Sequence, residues 1–210
     1  MNLELNKSKY LLIVAVILIF SACKRKTVTV KNNNGVVVQS YEVLRKQQNI
    51  KDGKFTSFYD DGTKMEESNY VNGKQDGISN LYYQDGKLMI ERHFKMDVYD
   101  GDYKEYYENG FIKQEGKYKD NMMDGVWKNY YASSEGLVSA LTTMKDGKIN
   151  GDAKEFATNG KLYVEGNKVE IFGGIDVYNG IVKVYDTISG KQIYNLEYED
   201  GKQVKKDSIF

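Results

Sequence analysis

A glycine, a short strand and an aromatic pair recur along this chain every 24 residues. Gly53-Lys54-Phe55-Thr56-Ser57-Phe58-Tyr59, Gly77-Ile78-Ser79-Asn80-Leu81-Tyr82-Tyr83, Gly101-Asp102-Tyr103-Lys104-Glu105-Tyr106-Tyr107 and Gly125-Val126-Trp127-Lys128-Asn129-Tyr130-Tyr131 are four copies of one pattern. Looser copies open at Gly151 and Gly180, after steps of 26 and 29 residues. Ordering one such unit costs on the order of 36 kcal/mol, at ~1.5 kcal/mol per residue. A fully buried aromatic returns only roughly 4–6 kcal/mol. A single copy therefore cannot stand alone, and the copies must stack so that stability is collective.

Each copy reads as two strands and two turns. A second landmark follows the first strand: Asp61-Gly62, Asp85-Gly86, Asn109-Gly110, Glu135-Gly136, Asn159-Gly160 and Ser189-Gly190. Asp-Gly and Asn-Gly pairs suit type I′ turns, in which both central residues have positive φ. A second strand such as Lys87-Leu88-Met89-Ile90-Glu91-Arg92-His93-Phe94 follows, and a connector such as Val71-Asn72-Gly73-Lys74-Gln75 leads to the next opening glycine. No segment after the N-terminus shows a 3.6-residue apolar period, so helix should be nearly absent. The chain has no Pro, consistent with many ladder-forming strands.

Strand alternation sorts the side chains into two faces. Counting from the opening Gly, position +5 is aromatic in all six copies: Phe58, Tyr82, Tyr106, Tyr130, Phe156 and Tyr185. Position +6 is Tyr59, Tyr83, Tyr107 and Tyr131, then lapses to Ala157 and Asp186; position +2, on the same face, carries Phe55, Tyr103 and Trp127. In the second strand Glu67, Glu91, Glu115 and Glu165 form one column and Tyr70, Phe94, Tyr118 and Tyr198 another. Residues 166–180 break the beat with about five extra residues, read as a bulge or wider loop.

The N-terminus is of a different kind. Lys7 and Lys9 precede an apolar run from Tyr10 to Phe20, too short for the roughly 20 residues that span a bilayer core. Residues 1–22 therefore read as a signal peptide, set apart from the fold. Phe20-Ser21-Ala22-Cys23 resembles the lipobox of bacterial lipoproteins, and Cys23 is the only cysteine. This predicts lipidation at Cys23, a lipidated tether over 23–30 that includes the basic Lys24-Arg25-Lys26, and a bacterial envelope location on a membrane, facing the periplasm. Val28-Thr29-Val30 and Val36-Val37-Val38 around Lys31-Asn32-Asn33-Asn34-Gly35 predict a capping hairpin over 31–49. The repeat array then fills 50–210.

The consensus Gly-x-Tyr/Trp-x-x-Tyr-Tyr-x-Asn/Asp-Gly-Lys-x-x-x-Glu-x-x-Tyr-x-x-Gly, clearest over 76–94 and 100–119, resembles the MORN repeat in its bacterial variant. The resemblance covers about residues 50–205. Chains of this kind are often labelled YwqK-type antitoxin-like proteins. The resemblance implies an all-β, elongated, twisted single sheet of about six stacked hairpins, with no catalytic activity and no cofactor.

Composition narrows the function classes. With 30 basic and 30 acidic side chains the protein lacks the basic excess that phosphate-backbone binding requires, which argues against a nucleic-acid partner. One histidine, His93, inside a strand, leaves no His-based triad or multi-His metal site. The carboxylates fall mostly in turns or in the glutamate column, where structure accounts for them, so the chain reads as a non-enzyme. Two non-enzymatic readings remain. One is a membrane-anchored scaffold for a protein partner, a toxin among the candidates that the resemblance implies, with Tyr59, Tyr83, Tyr107, Tyr131 and Trp127 as contacts. The other is an envelope glycan- or peptidoglycan-binding module that uses the same tyrosine rows.

Overall fold

A computed structural model describes residues 25–133, 136–171 and 174–209. The strands are β1 (Arg25–Lys31), β2 (Val37–Leu44), β3 (Gln47–Phe58), β4 (Lys64–Val71), β5 (Lys74–Gln75), β6 (Gly77–Tyr82), β7 (Leu88–Lys95) and β8 (Val98–Tyr106). They continue as β9 (Ile112–Lys119), β10 (Met122–Tyr130), β11 (Val138–Lys145), β12 (Lys148–Phe156), β13 (Leu162–Ile171), β14 (Ile175–Tyr185), β15 (Gln192–Glu199) and β16 (Lys202–Ser208). All lie in one antiparallel sheet, in chain order, with the short β5 set aside on β4. No helix occurs among the described residues. The expected all-β single sheet is therefore what forms. Its six repeat hairpins are β3–β4, β6–β7, β8–β9, β10–β11, β12–β13 and β14–β15.

The turn chemistry is the reverse of the expectation. At Asp61-Gly62, the Gly62 N–H donates to Tyr59 O (2.9 Å) and Tyr59 N–H to Thr63 O (2.8 Å). Only Gly62 has positive φ there (86°), so the turn is a type I turn closed by a glycine bulge, not type I′. The type I′ turns are the connectors. Asn72-Gly73, Met96-Asp97, Asp120-Asn121, Asp146-Gly147 and Asp200-Gly201 each have two successive positive φ values. The Asp-Gly signal is real at both places, but loop length selects the turn type. A two-residue loop needs the right-handed twist of type I′, whereas a longer loop gets by with one left-handed residue.

The opening glycines lie in the strands rather than in the turns. Gly53, Gly101, Gly125, Gly151 and Gly180 lie inside β3, β8, β10, β12 and β14, and Gly77 starts β6. All six have φ between 74° and 136°. At each of these places the pairing with the previous strand slips: Arg92 faces Tyr103 but Phe94 faces Tyr99, so extra residues around Gly101 stand opposite His93. These are bulges, which bend the strand and sharpen its twist. They account for the burial, because a single layer hides a residue only where it bends toward that face.

That inner face holds the core. The +2 column carries Phe55 at 6% exposure, Ser79 at 0%, Trp127 at 1%, Ala153 at 2% and Val182 at 2%. Most of its cross-strand partners vary in the opposite sense: Phe55 faces Ser68, Ser79 faces Arg92 and Tyr103 faces Gly116. Ala153 faces Gly166, where both are small and Val182 of the next repeat closes on the glycine, so the column is a row of filled slots rather than a row of one residue type. At the centre, Trp127 makes edge-to-face contact with Tyr118 (5.2 Å between centroids), and tilts against Tyr103 (5.5 Å).

Three further expectations meet the structure. Arg25–Lys31, read mostly as tether, is strand β1, paired with β2. The extra residues in 166–180 do not form a loose bulge. They lengthen a hairpin, with Val169 facing Val177 and Ile171 facing Ile175. The signal segment 1–22, Cys23 and Lys24 lie outside the described residues.

Candidate interaction surface

Both long rims of the sheet are tied from repeat to repeat, and the 24-residue spacing is a bonding period. On one rim the second residue of four of the five type I′ turns donates its N–H to the preceding repeat: Gly73 to Lys51 O (2.7 Å), Asp97 to Gln75 O (2.8 Å), Asn121 to Tyr99 O (2.9 Å) and Gly147 to Met123 O (3.0 Å). On the other rim the +6 tyrosines reach forward. Tyr59, Tyr83, Tyr107 and Tyr131 donate their hydroxyls to the carbonyls of Tyr82, Tyr106, Tyr130 and Phe156, at 2.5–2.9 Å. The candidate contact row is thus half-buried, with its polar ends engaged inside the sheet. Trp127, grouped with it as a contact, is in the core and offers no surface.

The outer face has its own bonds. Tyr82, Tyr130 and Tyr185, at position +5, donate to Glu67, Glu115 and Glu165 of the preceding repeat (2.5, 2.7 and 2.6 Å). Burial, with the glutamate beside each hydroxyl, pushes these three tyrosines up to about 12. The glutamates move the other way, held below the usual carboxylate range. For Glu115 and Glu165 the main cause is the tyrosine hydroxyl, and for Glu67 it is Lys64. The glutamate column therefore organises the sheet, as the sequence suggested.

Between these columns the outer face carries one groove three times. Its floor is position +1 of alternate repeats: Ile78, Val126 and Ile181, exposed at 46%, 55% and 52%. The intervening +1 residues are charged, Asp102 and Asp152, with Lys54 before them. Adjacent strands lie ~4.8 Å apart, so floors four strands apart are separated by about 19 Å. The groove walls are ion pairs closed within the sheet, Lys128–Glu115 (3.0 Å) and Lys154–Glu165 (3.2 Å), with Lys117–Asp102 (3.0 Å) at the rim. This row is hard to see in the sequence because the aromatic positions dominate the repeat pattern. An apolar residue directly after every second opening glycine was the available signal.

His93 is a half-exposed strand residue beside the bulge at Gly101. Among the described residues, no group of three or more His, Cys, Asp or Glu is placed to hold a metal ion. No helix among them is long and apolar enough to cross a membrane. The terminal strands β1 and β16 leave open edges, and β16 (Lys-Gln-Val-Lys-Lys-Asp-Ser) is exposed along its whole length. Lysines at such an edge oppose pairing with a second sheet.

No curated protein matches the chain. The MORN repeat variant matches in four segments, residues 51–72, 75–96, 99–120 and 149–167. Each match begins two residues before an opening glycine and runs through one hairpin. MORN repeats are generally scaffold modules for interaction with proteins and membranes, a non-enzymatic type. The four matches and the six stacked hairpins together support a MORN-repeat protein.

Proposed function

We propose that this protein is a membrane-anchored, non-enzymatic scaffold that holds an elongated protein partner along the outer face of its sheet. The carrying observation is the threefold apolar groove, with Ile78, Val126 and Ile181 exposed at a regular spacing. Single exposed apolar side chains are common on protein surfaces; the even spacing of these three at one repeat position is what suits them to serve as anchors. The two latched rims hold that spacing rigid, so a partner with apolar anchors about 19 Å apart binds without ordering the scaffold first. The groove walls are neutral ion pairs, which suits a protein surface rather than a charged polymer. Neither a toxin partner nor glycan stacking has comparable support, since the tyrosine hydroxyls are engaged within the sheet.

The triple substitution Ile78→Asp, Val126→Asp and Ile181→Asp tests this reading. Exposed positions cost within about 0.5 kcal/mol each, so the fold should survive. Partner crosslinking in membranes should fall at least tenfold against the wild type. Undiminished crosslinking by a folded triple variant would sink the outer-face reading.

The anchor is lipid on Cys23. Arg25 pairs with Leu44, beside the turn that joins β2 to β3, on the type I′ rim. A lipid two residues earlier would therefore hold that rim toward a membrane facing the periplasm and leave the outer face accessible. Cys23→Ser should move the protein to the soluble fraction. The mature N-terminal mass must be read alongside, because an uncleaved signal would also retain it. Release of the wild-type protein itself from washed membranes would refute the anchor.

A further inference from the structure

The tyrosine row on the inner face stops one step early, and the place where it stops is an open notch. Ala157 stands where Tyr59, Tyr83, Tyr107 and Tyr131 stand in the earlier repeats. Its backbone is the same as theirs. Ala157 N–H donates to Lys161 O (2.9 Å) and Gly160 N–H to Ala157 O (2.8 Å), as Tyr107 N–H donates to Phe111 O and Gly110 N–H to Tyr107 O (both 2.8 Å). Only the ring is missing. In the earlier repeats that ring lies across the next hairpin and its hydroxyl reaches the +5 carbonyl beyond. The equivalent acceptor for position 157 is Tyr185 O.

The neighbouring chain does not close the gap. A notch of about 360 Å³ opens over Ala157, walled by Tyr131 and Tyr163, with Ser139, Glu155, Thr158 and Thr187 around it. Tyr163 is 43% exposed, a large value for a ring on the face that buries the core. The turn on the far side is held in place, since Asn159 Nδ2 donates to Thr187 O (2.8 Å) and the Lys161 ammonium donates to Ile188 O. The far turn, which carries Thr187, is therefore fixed, and Tyr131 is held by its bond to Phe156 O, while the space between them is unfilled. Glu155 accepts from Lys168 (2.8 Å) and from Tyr178 (2.9 Å), so its charge is compensated and does not repel a neutral ring.

We propose that this notch binds a phenol ring, the side chain of a tyrosine presented by a partner protein. Four internal tyrosines show what the slot accepts: a ring laid toward the next repeat with its hydroxyl donated to a strand carbonyl. A ligand tyrosine would supply the same ring from outside, against Tyr131 and Tyr163, with its hydroxyl directed to Tyr185 O. The notch lies on the inner face, so it is independent of the outer-face grooves.

The test is an amide-shift titration of the folded protein with N-acetyl-tyrosinamide. Saturable shifts at Thr158 and Thr187 are expected, with a Kd on the order of 1–10 mM for one unconstrained side chain. N-acetyl-phenylalaninamide, which lacks the hydroxyl, should bind about 2- to 10-fold more weakly. N-acetyl-leucinamide should give no saturable shift. Ala157→Tyr should fill the notch and abolish the response while leaving the far-ultraviolet spectrum unchanged. If that variant misfolds, Tyr163→Leu removes one wall and should weaken binding at least threefold. The proposal is overturned by absence of saturation in the wild type, by an equal response to the leucine compound, or by binding that persists in folded Ala157→Tyr.

Discussion

Replacing Gly116 by alanine should destabilise the centre of the sheet by about 1–3 kcal/mol, the usual cost of forcing a methyl group into a filled core. Gly116 does not have the positive φ that would make it a conformational glycine. Its smallness is steric. An added Cβ would fall 2.3 Å from Cδ2 of Trp127 and 2.4 Å from Cε2. Those atoms belong to a buried ring that also donates from Nε1 to Lys117 O (3.2 Å), so it cannot swing away without losing a bond. Trp127→Leu should cost more on its own, about 3–5 kcal/mol if the slot fails to collapse, as for truncation of a buried Trp. In the Trp127→Leu background, however, Gly116→Ala should be close to neutral, because the atoms it meets are gone. The double-mutant cycle should therefore show a coupling of about 1–3 kcal/mol, within the range of residues in direct contact. Hydrogen exchange in β8–β11 is the suitable measurement, since a repeat array unfolds locally as well as globally. Equal costs of Gly116→Ala in the two backgrounds would mean that the glycine is needed for its backbone and not for the space it leaves.

This pair also shows why part of the fold was legible and part was not. The 24-residue spacing, the two strands per copy and the opposed faces at +2 and +5 follow from periodicity alone, and the structure has them. A sequence period states that something repeats without stating what bonds make it repeat. The bonds are the turn-to-carbonyl ties on one rim and the tyrosine hydroxyls on the other. Turn type was misplaced because Asp-Gly satisfies any left-handed position, and the count of loop residues decides which turn forms. The opening glycines have positive φ as well, but in them it serves a bulge within a strand.

The candidate contacts were harder to read because a tyrosine row has the same sequence signature whether it faces a partner or packs on the next repeat. Tyr83 and Tyr107 are conspicuous as residue types, yet their hydroxyls are engaged within the sheet. Ile78, Val126 and Ile181 are unremarkable as residue types; the sequence places them at one repeat position, and the structure shows that this position is exposed. Volume compensation was invisible for a related reason. Ser79 and Ala153 look like lapses in an aromatic column until Arg92 and Gly166 are seen across from them: one a large partner, the other a slot narrowed by Val182 nearby.

The sheet should lose stability steeply between pH 10 and 12, well before its backbone chemistry changes. Tyr82, Tyr103, Tyr130 and Tyr185 are all raised to about 12, and Tyr178 is raised as well. Burial is the first cause for every one of them, and a facing glutamate adds to it for all but Tyr103, where Glu105 acts through space. In the unfolded chain a tyrosine ionises near pH 10. Between that value and the folded one, the native state binds more protons than the unfolded state, so stability falls as pH rises. The acid side behaves differently although the same pairs are involved. Glu67, Glu115 and Glu165 are depressed, so their contribution is lost as pH falls below the usual carboxylate range. A protonated glutamate still accepts a hydroxyl hydrogen through its carbonyl oxygen. An ionised tyrosine offers no hydrogen and places a second negative charge against the first. The alkaline limb should therefore be the steeper, with tyrosinate absorbance and loss of strand circular dichroism rising together. Replacing Tyr82, Tyr130 and Tyr185 with phenylalanine should lower stability at pH 7 by about 0.5–1.5 kcal/mol per lost hydrogen bond. The same triple variant should flatten the limb between pH 10 and 12. If its alkaline midpoint matches the wild type, the pairing of tyrosine with glutamate across repeats does not set the limit, and burial of the inner-face rings does.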